Sequence, residues 1–144
     1  MATVQDILRR KGSEVVSMVV EESVVNAARV MNERGIGGVV VMDGGSMVGI
    51  FTERDILRRV VAEHRDPAQT KIREVMTSPV TCCPVETSLS ECMKVMTDKR
   101  IRHLPVVRGE DVVGIVTSGD ILAHRVKDQE STIELMKSYV YDNR

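Results

Sequence analysis

The sequence of 144 residues repeats itself, and this repeat limits the chain to folds built from two similar halves. The segment GIFTERDIL at 49–57 returns as GIVTSGDIL at 114–122, so the two copies lie 65 residues apart (114 minus 49). Between residues 11–62 and 76–127, about a third of the aligned positions are identical without a gap. Duplication accounts for this agreement far more simply than chance does.

Within each half, the hydrophobic pattern predicts the order strand, helix, strand, strand, helix. The predicted fold class is therefore α+β, with two β-α-β-β-α repeats related by pseudo-two-fold symmetry. We divide the chain into a first repeat with an N-terminal helix (1–65), a second repeat (66–127) and a tail with a helical pattern (128–144). The predicted strands are at 15–20, 36–42, 47–51, 80–85, 101–107 and 112–116. The predicted helices are at 3–11, 23–34, 52–62 and 117–127, with another that begins at Ser88 and a short turn or helix at 71–77.

Each repeated segment places a threonine and an aspartate three residues apart where a strand leads into a helix. These are Thr52 and Asp55 in the first half and Thr117 and Asp120 in the second. The hydroxyl and the first free helix amides can donate to a phosphate, and the carboxylate can accept from two ribose hydroxyls. The same residues are also ordinary helix N-caps. Two copies in register favour a shared design for a ligand site.

Composition narrows the classes of function. The net charge of −1 gives no field that attracts nucleic acid or an anionic membrane, and 2% aromatic residues leave few rings on which bases could stack. No apolar run is long enough to span a bilayer. Three cysteines without a CxxC spacing favour a reducing cytoplasm, and the scattered histidines argue against a zinc site. We interpret Cys92, opposite Ala27 in the repeat, as a small core residue.

The two repeats resemble a tandem pair of cystathionine-β-synthase (CBS) domains, which is called a Bateman module. The resemblance covers residues 7–130 and is carried by the two GxxTxxD-type segments, by Val75-Met76-Thr77 and by His103-Leu104-Pro105-Val106-Val107. The length resembles that of small stand-alone bacterial CBS-pair proteins. Members of the family commonly bind AMP, ADP or ATP, others bind NAD or S-adenosylmethionine, and a few bind DNA or RNA.

The resemblance implies two clefts between sheet-packed repeats. The motif aspartates would hold ribose, the motif threonines would lie by phosphate, and residues at the start of each central strand would line the phosphate or base. Aliphatic residues near strand ends would enclose adenine, although such residues are more often plain core. The implied ligand-binding residues are Thr52, Asp55, Gly37, Gly38, Thr117, Asp120, Arg102, His103, Val16, Val80 and Ile115.

The two clefts are predicted to differ. Arg102 and His103 offer donors to a phosphate where the first half has only Gly37 and Gly38, and Arg54 adds a cation inside the first motif. One hypothesis groups Arg102 and His103 with the second motif as an adenine-nucleotide site, with a second phosphate reaching Arg54, as a dinucleotide would require. The alternative is that these cations are solvated or make salt bridges.

The resemblance implies a non-catalytic sensor of AMP, ADP, ATP or NAD, with no catalytic cofactor, that acts as a homodimer on an effector protein not identified by the sequence. The motifs of common enzyme classes are missing from the sequence, which argues against an enzyme. The alternatives are a constitutive dimerisation scaffold and nucleic-acid binding through 99–103. Cys82 and Cys83 lie near the predicted cleft; they are either packed or, if exposed, redox-sensitive.

Overall fold

The computed structural model describes residues 1–128. Both halves have the predicted order of elements and the α+β class is confirmed; the predicted tail helix lies outside the described residues. The first half contains α1 (Val4–Lys11), β1 (Ser17–Val19), α2 (Val24–Arg34), β2 (Gly38–Asp43), β3 (Ser46–Thr52) and α3 (Glu53–Asp55), which continues as a π-helical stretch (Ile56–Val61). The second half contains α4 (Ile72–Val75), β4 (Cys83–Pro84), α5 (Leu89–Lys99), β5 (His103–Arg108), β6 (Asp111–Thr117) and α6 (Ser118–Asp128).

The strands form two sheets of three strands, in the orders β1-β2-β3 and β4-β5-β6. In each sheet the first strand runs parallel to the central strand, and the last strand runs antiparallel to it. The register pairs Gly38 with Thr52 in the first sheet and His103 with Thr117 in the second. Each motif threonine therefore lies opposite the first residue of its own central strand.

The strand β4 is much shorter than the predicted 80–85, and Pro105 explains the difference. In the first sheet, the N–H of Val40 donates to the carbonyl of Val16 (3.1 Å), which joins the start of β1 to β2. Pro105 occupies the equivalent position in β5 and has no N–H to donate. Pairing of β4 with β5 consequently begins only at Val106.

The helix predicted at 52–62 is not α-helical throughout. After α3, the N–H of Ala62 donates to the carbonyl of Leu57 five residues earlier (3.0 Å), and Arg65 donates to Val60 in the same way (2.9 Å). These hydrogen bonds between residues five apart define the π-helical stretch, a feature that is frequent near functional sites. The equivalent helix of the second half, α6, is a regular α-helix.

The two halves exchange their leading helices. Helix α1 packs its apolar stripe into the core of the second half, and its first amide, Val4 N–H, donates to the carbonyl of Thr87 (2.9 Å). Helix α4 packs Ile72 and Val75 into the core of the first half, and the Ile72 N–H donates to the carbonyl of Glu22 (2.9 Å). Each core is completed by a helix that the sequence places next to the other repeat.

The glycines that open both repeated segments make room for this exchange. A Cβ on Gly49 would lie 2.5 Å from the sulfur of Met76, just after α4. A Cβ on Gly114 would lie 2.6 Å from a methyl group of Leu8 in α1. Contacts this short do not occur between real side chains, so the motif glycine serves the close approach of a strand and a helix end.

Candidate functional site

A cleft of about 360 Å³ opens where the first repeated motif meets the start of the second central strand. One wall comes from β3 and α3 of the first half. The other comes from the segment after α4 and the turn between α5 and β5. The lining residues are Gly37, Ile50, Thr52, Glu53, Arg54, Asp55, Thr77, Thr81, Arg100, Ile101, Arg102 and His103.

The aspartate of the first motif is buried, with 5% of its surface exposed. One carboxylate oxygen accepts from the N–H of Thr52 (3.0 Å) and from its hydroxyl (3.4 Å). The other accepts from the Thr77 hydroxyl (2.9 Å) and lies 3.7 Å from Nε of Arg59. Asp55 therefore caps α3 and ties it to the second half, and a ribose hydroxyl would take the place of the Thr77 hydroxyl.

The aspartate of the second motif has a different environment. Its Oδ2 accepts from the N–H of Thr117 (2.9 Å), and its own N–H donates to the Thr117 hydroxyl (3.1 Å). The ammonium group of Lys11, at the end of α1, lies 2.7 Å from the same oxygen. The side chain of Asp120 is 24% exposed, so this carboxylate is more accessible than that of Asp55 but is already neutralised by a cation of the chain.

The structure places Arg102 and His103 in the lining of the cleft of the first motif. Both residues also lie beside the second motif, because His103 pairs with Thr117 and the Ser118 N–H donates to the carbonyl of Arg102 (3.1 Å). The imidazole of His103 packs against Gly38, whose absent Cβ would lie 3.3 Å away. Burial lowers the pKa of His103, and the nearby carboxylate of Glu53 opposes this shift.

Arg54 joins the two walls of the cleft, because its guanidinium donates to the backbone carbonyl of Arg100. Arg100 itself ends α5 in the left-handed conformation, with φ 55°. Arg100 was not among the predicted site residues, and the same is true of Ile50, Glu53, Thr77, Thr81 and Ile101. The signal that identifies Arg100 is its counterpart in the repeat, Gly35, which ends α2 in the same conformation with φ 64°.

The aliphatic residues predicted to enclose adenine are not part of this cleft lining. Val16 packs partly buried against the core of the first half, and Val80 and Ile115 are also partly buried. Ile50 and Ile101 supply the apolar surface of the cleft instead. An adenine ring there would pack against these two side chains.

Metal binding and cysteine chemistry have little structural support within residues 1–128. Three or more histidine, cysteine or acidic side chains come together nowhere in this range in a way that could hold a metal ion. Cys82 is exposed, whereas Cys83 and Cys92 are buried, which confirms Cys92 as a core residue. The neighbouring Cys92 thiol and burial raise the pKa of Cys83, so its thiolate is disfavoured. Over the same range, none of the helices has the length and apolar character needed to cross a membrane.

Comparison with known proteins places the chain among related sequences and structures. The family model described as "CBS domain" matches residues 4–62 and 72–127. The mitochondrial CBS domain-containing protein CBSX3 of Arabidopsis thaliana is 30% identical over 96% of the chain and 71% of its own length. CBS domain-containing protein YhcV of Bacillus subtilis is 29% identical over 91% of both chains.

Solved structures agree with these matches. A CBS-domain protein from Burkholderia ambifaria MC40-6, assigned to signal transduction, is 37% identical with a TM-score of 0.86, covering 89% of this chain and 96% of its own. The hexameric CBS-CP12 protein from bloom-forming cyanobacteria is 28% identical with a TM-score of 0.76, covering 85% of this chain and 70% of its own. Both halves are matched in sequence and in fold, and the chain belongs to the CBS-domain family as a tandem pair of its repeats.

Proposed function

We propose that the chain is a non-catalytic regulatory module that binds an adenine nucleotide, AMP, ADP, ATP or NAD, in the cleft between the repeats. The observation that supports this most strongly is the composition of the cleft. It combines a threonine–aspartate pair at a helix start with three arginines, a histidine and two isoleucines. Such a set offers hydrogen-bond partners for ribose and phosphate and apolar surface for a base.

The proposed mechanism is a shift between conformations of the module. Thr52 and Asp55 come from one repeat, whereas Arg100, Arg102 and His103 come from the other. A ligand that contacts both walls stabilises the arrangement in which they face each other, and a partner protein reads that arrangement. The bridge from Arg54 to the carbonyl of Arg100 already holds the walls together in part.

A thermal-shift panel with AMP, ADP, ATP, NAD, NADH and S-adenosylmethionine tests this proposal. A ligand at a hundred times its dissociation constant stabilises the folded state by about 2.7 kcal/mol. We expect this to raise the melting temperature by roughly 5–10 °C for a chain of this size. No shift with any of these compounds contradicts the proposal and favours a constitutive scaffold. Nucleic-acid binding remains the weaker alternative, because the chain carries a net charge of −1.

We also propose that the module forms a homodimer through the helices that follow the two motifs. Leu57 and Leu122 occupy equivalent positions in the repeats, and their side chains are 62% and 64% exposed. Val61, one turn after Leu57, is 61% exposed. Exposed apolar side chains at matching positions on two helices are typical of a surface that another copy covers. The cytoplasmic location expected from the cysteines stays a prediction.

Replacing Leu57 with Glu is expected to weaken the dimer at least about tenfold, because a buried carboxylate without a partner opposes association. Sedimentation velocity over a range of concentrations measures this change. Val19→Glu is the matched control, because Val19 is 53% exposed but lies on β1 and not on these helices. Identical sedimentation of wild type and Leu57→Glu would show that the dimer, if present, uses another surface.

A further inference from the structure

The three arginines of the cleft all stand at positions where the other repeat has glycine. Each corresponds to a glycine in the other repeat at the offset of 65 residues: Arg54 to Gly119, Arg100 to Gly35 and Arg102 to Gly37. These glycine counterparts carry no side-chain charge. The duplicated scaffold accepts glycine at all three places, so the fold itself does not need the arginines.

Arg100 shows this most clearly. A helix commonly ends in a left-handed residue, and glycine takes this conformation without steric strain, as Gly35 does at φ 64°. Arg100 adopts φ 55° although its Cβ makes this conformation unfavourable. The backbone carbonyl that accepts a hydrogen bond from Arg54 would still be present if residue 100 were glycine. The fold therefore does not require the side chain of Arg100, a residue that lines the cleft.

The charges of the cleft are also unbalanced. Arg54, Arg100 and Arg102 face Glu53 and Asp55, and Asp55 already has Arg59 as an ion-pair partner. The Asp55 carboxylate is buried, whereas Arg100 and Arg102 are exposed at the mouth of the cleft. The accessible part of the cleft thus carries an excess of positive charge. Such an excess suits a ligand whose negative charge extends beyond a single phosphate.

We infer that the cleft selects a nucleotide with two or more phosphates, and that Arg100 determines this specificity by pairing with the phosphates beyond the first. The inference rests on the proposed function and names the subclass of ligand. The planar guanidinium is suited to this role, since it binds phosphate oxygens in pairs. The second motif has Gly119 in the place of Arg54, and its aspartate is already paired with Lys11.

Calorimetric titration with AMP, ADP, ATP and inorganic tripolyphosphate, at constant ionic strength, tests the inference. Wild type is expected to bind ATP at least about tenfold more tightly than AMP, as one additional charge-assisted contact would produce. Arg100→Gly is expected to remove this preference and to leave the AMP affinity within about twofold of wild type. The variant relieves backbone strain, so misfolding does not confuse the result. Arg29→Ala, which removes an exposed arginine of α2 outside the cleft, serves as the control for net charge.

The outcomes separate this inference from the proposed function. Equal affinity for AMP and ATP in wild type, or an equal loss for all nucleotides in Arg100→Gly, overturns the inference and leaves nucleotide binding standing. Tripolyphosphate binding that depends on Arg100, without any nucleotide binding, supports the phosphate site and overturns the adenine-nucleotide proposal. Failure of every ligand to bind overturns both.

Discussion

Replacing Asp55 with alanine is expected to abolish nucleotide binding and to lower the free energy of unfolding by about 2–4 kcal/mol. The carboxylate is 5% exposed and accepts from the Thr52 N–H and hydroxyl and from the Thr77 hydroxyl. Its removal leaves buried donors without partners and takes the N-terminal cap from α3. It also breaks the contact to Arg59, which adds little because that side chain is 51% exposed.

Urea unfolding measures the stability loss, and thermal shift or calorimetry measures the binding loss. The matched control is Asp120→Ala in the second repeat, where the carboxylate is 24% exposed and paired with Lys11. We expect that variant to lose about 1 kcal/mol, as for an ordinary helix cap, and to retain binding in the first cleft. Asp55→Asn keeps the size of the side chain and separates the need for charge from the need for volume. Full binding by Asp55→Ala would remove the residue from the proposed site.

The order of elements within each repeat could be predicted because its signals are local. Alternating and continuous apolar runs, the serine caps at Ser23 and Ser88 and the left-handed end of α2 at Gly35 all depend on a few neighbouring residues. The second copy of each signal confirmed the first. The short β4 was not predicted, because it depends on Pro105, a residue distant in sequence that has no N–H to pair with the start of that strand.

Six of the twelve residues that line the cleft were named from the sequence. Thr52, Arg54, Asp55, Gly37, Arg102 and His103 all line the cleft. The sequence groups Arg102 and His103 with the second motif, and both lie beside it, since His103 pairs with Thr117 and the Ser118 N–H donates to the Arg102 carbonyl. They also line the cleft of the first motif, and this depends on the packing of one repeat on the other. Arg100 was missed because an arginine after Lys99 resembles an ordinary helix end.

The exchange of α1 and α4 could not be predicted for the same reason. Both helices show short apolar stripes that would pack equally well on either core by composition. Which core each helix joins depends on the length of chain between the helix and its repeat and on the space above Gly49 and Gly114. The exchange has a functional consequence: the segment after α4 carries Thr77, which contacts Asp55. The motif of the first repeat is therefore in direct contact with the second.

Replacing Ile72 with alanine is expected to lower the free energy of unfolding by about 2–4 kcal/mol, as for large aliphatic side chains removed from a packed core. Ile72 is 0% exposed and belongs to the core of the first half, although the sequence places it after the connection to the second. We therefore expect the amides of β2, such as Val39 and Val41, to lose more protection from hydrogen exchange than those of β5.

Hydrogen exchange followed by mass spectrometry or NMR resolves the two cores. The reciprocal variant, Ile7→Ala in α1, is expected to show the opposite pattern, with the larger loss in β5, because Ile7 is 3% exposed within the core of the second half. Val19→Ala, at a position 53% exposed on β1 and outside the proposed dimer surface, controls for the substitution itself and should change stability by less than about 0.5 kcal/mol. The exchange would be contradicted if Ile7→Ala lowered protection only in the first repeat and Ile72→Ala only in the second. If the reciprocal pattern is observed, each leading helix belongs to the core of the other half and links the two halves.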